Sequence, residues 1–131
     1  MGKRALVLIG HGSRLPYNSE VVSGLARILE ERGAWDEVRY CFNEMNEPNM
    51  PDTLDELCRD TEITTIVFFP LFISMGKHTT EDIPRALHIP KGEFYVERAV
   101  NGVRRRIVLS GPLGAEEALA ELIEKRALSL L

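Results

Sequence analysis

The run Ala5-Leu6-Val7-Leu8-Ile9 carries no polar side chain, and that constrains the fold more than any other feature of the chain. A strand with one face in water alternates apolar and polar residues. An unbroken apolar run before a glycine reads instead as a strand covered on both faces, the habit of parallel sheets. A helix can begin at Asn18 or Ser19, with Val21, Val22, Leu25, Ile28 and Leu29 on one stripe and Gly33 as its stop. Val38 to Phe42 reads as a second strand, and Asp52 as the N-cap of a short helix carrying Leu54, Leu57 and Cys58. Thr64 to Phe69 is a third strand, which Pro70 ends because it has no N–H to donate. Thr79, with Asp82 three residues on, can start a helix that runs to about Leu87; Pro84 then marks a first turn or a kink.

Phe94 to Val100 and Val103 to Leu109 flank Asn101-Gly102, a hairpin signal. A last helix places Leu119, Leu122, Ile123, Arg126 and Leu130 on one face. The expected fold is therefore α/β: one wound domain over residues 1–131, built on a mainly parallel four-stranded sheet. Helices cover both faces, and a hairpin-like insertion lies near 94–109.

A length of 131 residues suits one domain. The 16 basic and 20 acidic residues leave a net charge of −4, which argues against general nucleic-acid binding; Arg104-Arg105-Arg106 is a local basic cluster. Cys41 and Cys58 match no zinc or redox spacing and read as buried thiols of a reducing compartment. Only Ala5 to Ile9 follow Lys3-Arg4 before Gly10, too short for a signal core or a membrane span. A cytoplasmic location is expected.

Parallel wound strands bring their C-terminal ends to one rim, where ligands of open α/β sheets bind. Gly10-His11, Asn43-Glu44 and Lys77-His78 all follow strands and should meet there. Two imidazoles and a carboxylate suit a divalent first-row metal, and the same groups can move protons near neutral pH. Three ligands leave coordination positions open, unlike a closed structural site. Leu71 to Met75 stay apolar past the strand end and offer a hydrophobic lip. The plainer alternatives stay open: His11 as a turn residue between two glycines, Glu44 as a solvated loop charge, Lys77 as a solvated turn lysine. Gly-His-Gly-Ser-Arg lacks the last glycine of a nucleophile elbow, which weakens Ser13 as a nucleophile. No phosphate-binding glycine loop is present. His88 reads as a surface residue.

Four segments, Leu8 to Arg14, Phe42 to Pro48, Phe69 to Phe72 and His78 to Pro84, resemble the sirohydrochlorin chelatases of the class II, ATP-independent type. Gly-Pro-Leu-Gly at 111–114 is similar to that family's last strand-to-helix junction. The length resembles the short form, the sirohydrochlorin cobaltochelatases, about half of a full chelatase. The resemblance implies a homodimer with two half-sites face to face. It implies insertion of Co²⁺ into sirohydrochlorin on the route to cobalamin, relatives using Ni²⁺ or Fe²⁺, with the metal as substrate and no tightly bound cofactor. By the same resemblance His11 and His78 are the metal-binding and proton-accepting pair, with Glu44 beside them. Ile73, Ser74, Met75, Gly76 and Lys77 line the macrocycle, joined by Glu47, and Arg14 and Lys77 meet its carboxylates. Gly76-Lys77 before His78 and the insertion at 94–103 depart from the family pattern. A metal or tetrapyrrole carrier without turnover is the alternative from another class.

Overall fold

In a computed structural model, which describes residues 2–131, the chain forms β1 (Lys3–Gly10), α1 (Tyr17–Glu31), β2 (Glu37–Phe42), α2 (Met50–Leu57) and β3 (Ile63–Pro70). These are followed by α3 (Lys77–Ala86), β4 (Tyr95–Val100), β5 (Val103–Leu109) and α4 (Glu117–Leu128). The strands make one sheet in the order β2-β1-β3-β5-β4. All pairings are parallel except β4 with β5. As its composition requires, β1 lies inside the sheet, flanked by β2 and β3. Ala5, Val7 and Ile9 pack under α2 and α3 with Leu54, Leu57, Ile83 and Leu87. Leu6 and Leu8 face α1 with Val22 and Ala26.

The structure departs from the sequence reading in several places. The sheet has five strands: residues 94–109 are no insertion, because β5 pairs parallel with β3 and β4 closes the edge. The Asn101-Gly102 turn does form, both residues taking the positive φ of a tight hairpin (51° and 75°). On α1 the core takes only Val22, Ala26 and part of Leu29, while Val21, Leu25 and Ile28 are exposed. Asn49, not Asp52, caps α2, its Oδ1 accepting the Asp52 N–H at 2.8 Å. The Arg104–Arg106 cluster is divided by the strand's alternation. Arg105 turns inward and is 1% exposed. Its guanidinium donates to the carbonyls of Cys58, Asp60, Ile63 and Val100. A buried cation is thus held by carbonyls alone, one of them at the C-terminal end of α2, where the helix dipole is negative.

Candidate metal-handling site

The three parallel strands β1, β2 and β3 end side by side, and backbone hydrogen bonds continue past them. Asn43 N–H donates to Gly10 C=O at 2.9 Å, Glu44 N–H to His11 C=O at 3.2 Å, and Leu71 N–H to Ile9 C=O at 2.8 Å. The loops bearing the candidate residues are therefore tied to one another before any ligand arrives. Gly12 makes this possible. It sits at φ +89°, and a Cβ there would run into the Glu44 carbonyl. Two asparagines hold the same loop: Asn18 Oδ1 accepts Gly12 N–H at 3.0 Å, and Asn46 Oδ1 accepts Ser13 N–H at 2.6 Å. Ser13 Oγ accepts Leu15 N–H at 3.1 Å, an ordinary turn contact rather than a nucleophile's setting.

His11 is exposed and stacks on Phe72, ring centroids 3.7 Å apart and planes 20° from parallel. The pairing follows from register: Ile9 is opposite Pro70, so the residues two further along each chain meet. Phe72 is itself only 3% exposed. It forms the floor beneath His11, not part of the lip. The lip is narrower than the apolar run suggests. Ile73 projects, 66% exposed, whereas Leu71 and Met75 lean into the core. The β5 end supports it from behind, with Leu113 N–H on Phe72 C=O at 2.8 Å and Gly114 N–H on Ile73 C=O at 2.9 Å.

His78 lies in the first turn of α3, exposed, one residue after Lys77. The helix starts differently from expectation. Gly76 is the N-cap and Thr79 is the third helical residue, its Oγ1 accepting Gly76 N–H at 2.9 Å. Asp82 instead lies 3.9 Å from Arg85. Pro84 falls inside α3, and the helix ends two residues later. Glu44, Glu47, Arg14, Ser74, Gly76 and Lys77 are all exposed. The ion pairs among the described residues are Lys3–Glu62, Arg39–Glu37, Arg85–Asp82 and Arg104–Glu97, so Arg14 and Lys77 enter none. Among the described residues no three His, Cys, Asp or Glu side chains are gathered as a ready metal cage. The arrangement is an open rim with two imidazoles, not a closed site. A cleft of about 750 Å³ lies behind α3, between Pro84, Arg85, Ile89 and Lys91, and includes none of the candidates. His88 is exposed as expected, and both cysteines are buried and free. Phe72, Asn18 and Asn46 are the supports that sequence reasoning missed. The signal of Phe72 and Asn46 is tertiary, since each acts from another segment, while Asn18 acts from the start of α1 just after the loop.

The fold is similar to those of solved chelatase-like proteins. A multi-domain protein of Deinococcus radiodurans with structural similarity to chelatases superposes with a TM-score of 0.77 at 29% identity, over all of this chain and 29% of that one. The sirohydrochlorin chelatase SirB of Bacillus subtilis subspecies spizizenii, in complex with cobalt, shares the fold at a TM-score of 0.72 and 22% identity. That match covers 97% of this chain and 50% of SirB. The chain belongs to the CbiX family, whose model matches residues 5–130. It is 35% identical over 124 residues to the sirohydrochlorin cobaltochelatase of Methanosarcina barkeri, covering 95% of this chain and 94% of that protein. It is 34% identical to that of Methanococcoides burtonii, covering 98% of both.

Proposed function

We propose that this chain is a sirohydrochlorin cobaltochelatase, a metal-inserting lyase that works without ATP as one cytoplasmic domain over residues 1–131. The observation that carries the reading is His11 stacked on Phe72 at the end of β1, on the same rim as His78, in a chain that matches cobaltochelatases end to end. Insertion exchanges two ring N–H protons for one M²⁺, so the site must accept protons and release a metal it has briefly held. Neutral imidazole does both, and its contact with Phe72 fixes the ring of His11. Glu44, held beside His11 through the backbone, adds negative charge for metal entry or relays protons. Ile73, Ser74, Met75 and Gly76 offer the macrocycle a ledge, with Glu47 at the rim. The unpaired Arg14 and Lys77 meet its carboxylates. An ammonium has no lone pair, so Lys77 serves the substrate rather than the metal.

One chain covers one face of a flat ring. The working unit is accordingly a homodimer with two half-sites face to face, which shields Ile73. Cobalt is the first choice of metal, with nickel or iron on the same macrocycle as alternatives, because imidazole and carboxylate discriminate weakly among these ions. The test is to add Co²⁺, Ni²⁺ or Fe²⁺ to sirohydrochlorin and follow the absorbance of the metalated ring at catalytic and at stoichiometric protein. Many turnovers, fastest with Co²⁺, are expected. One equivalent per chain and no more would make the protein a carrier.

A further inference from the structure

Helix α4 buries none of its residues in its own chain, and Leu122, Ile123 and Leu128 are exposed. The same chain has a bare place of matching shape. α1 rests chiefly on β1 and β2, with Val67 and Phe69 of β3 at the margin of the cluster it closes, so the part of that sheet face running from β3 across β5 to β4 is left largely without a helix over it. Register puts Val67 beside Val108 and Val108 beside Tyr95 there, with Arg106 next to Glu97. α1 walls the place on one side. Ser23, Arg27 and Glu30 face the β2 edge, where they line a cleft with Val38 and Tyr40. The exposed Val21, Leu25 and Ile28 lie on the flank turned the other way, towards β3.

We propose that a second copy of this chain fills this groove with its α4, and that the two copies exchange their last helices. Dimensions agree. A helix of 12 residues is about 18 Å long and about 10 Å across. Three strands about 4.8 Å apart leave a strip of that width, and the seven residues of β5 run about 23 Å. The helix's stripe of Leu119, Leu122 and Ile123 matches the valines and the tyrosine. Arg126 on the stripe is opposite in sign to Glu97, which Arg104 also approaches at 3.6 Å, and Glu116 on its flank is opposite to Arg106, which lies over the Tyr95 ring.

A two-fold pair makes the contact twice, burying on the order of the 1,600 Å² of a standard stable interface. SirB, a chain of twice this length, has room in one polypeptide for what a second copy supplies here. The exchange is also tied to the rim, because the root of α4, Leu113-Gly114, is hydrogen-bonded to Phe72 and Ile73. The inference rests on the dimer reading above and adds its construction.

The test is the double variant Tyr95→Cys/Leu122→Cys treated with a short bismaleimide; Cys41 and Cys58 are buried and make the unsubstituted protein a silent control. A covalent dimer on a denaturing gel is the expected product. An internally closed monomer, or no link, overturns the exchange. Leu122→Glu/Ile123→Glu should move the protein from dimer to monomer in sedimentation with unchanged far-UV circular dichroism, and an unaffected dimer overturns it equally. An unsubstituted protein that is dimeric but gives no link in the double variant fails the exchange and leaves the dimer standing. A monomer fails both.

Discussion

His11 and His78 are exposed on loops or helix starts and carry no core contacts beyond the Phe72 stack, so their side chains can be removed without unfolding the chain. His11→Ala and His78→Ala should each slow metal insertion by about 10²-fold or more while the circular dichroism spectrum is retained. Glu44→Gln should do less. Lys77→Met should raise KM for sirohydrochlorin more than it lowers kcat, with the gap closing in high salt. An unchanged KM at low salt would return Lys77 to the solvated turn residue. Burial of a thiol contributes to the loss of stability at alkaline pH. Burial pushes the Cys41 thiol from its ordinary 9.0 up to about 12. Since the folded value lies above the unfolded one, the stabilisation is complete below pH 9 and is lost as pH rises towards 12. Cys41→Ala should flatten that part of the stability curve, as followed by denaturant midpoints at stepped pH.

At the level of elements, the sheet is held where α2 turns into β3 by one side chain from β5. Arg105 reaches the carbonyls of Cys58, Asp60 and Ile63, so it pins the end of one helix and the start of one strand to a third element. Removing the guanidinium orphans these acceptors in a dry place, and Arg105→Met should cost about 3 kcal/mol, read as a lower denaturant midpoint at constant slope. Arg104→Met, on the same strand with its side chain in water beside Glu97, should cost less than about 1 kcal/mol. The contrast between adjacent arginines comes from the two-residue period of the strand. Neither composition nor the triple-arginine motif distinguishes them.

For the whole molecule, the proposed homodimer predicts that activity is a property of the pair, because one open rim offers a single wall. Specific activity should fall on dilution together with the dimer fraction seen by sedimentation, and a fully active monomer at assay concentration would sink the two-walled site. Two buried apolar clusters form within one chain, and among the described residues no helix is long and apolar enough to cross a membrane.

What the sequence determined by itself was whatever depends on local order. The apolar run of β1, the Asn101-Gly102 turn, the alternation of strands and helices, and the meeting of His11 with the β3 loop all follow from short-range pattern and from parallel winding. What only the tertiary structure decided concerns faces and partners. The sequence could not tell which side of α1 was buried, that Phe72 lies under His11, that Arg105 alone of three arginines turns inward, or that α4 buries none of its residues in its own chain. An amphipathic stripe states that a helix needs cover, and a strand's period states which residues share a side. Which surface supplies the cover is set by contacts between segments far apart in the chain, and local pattern carries no record of them.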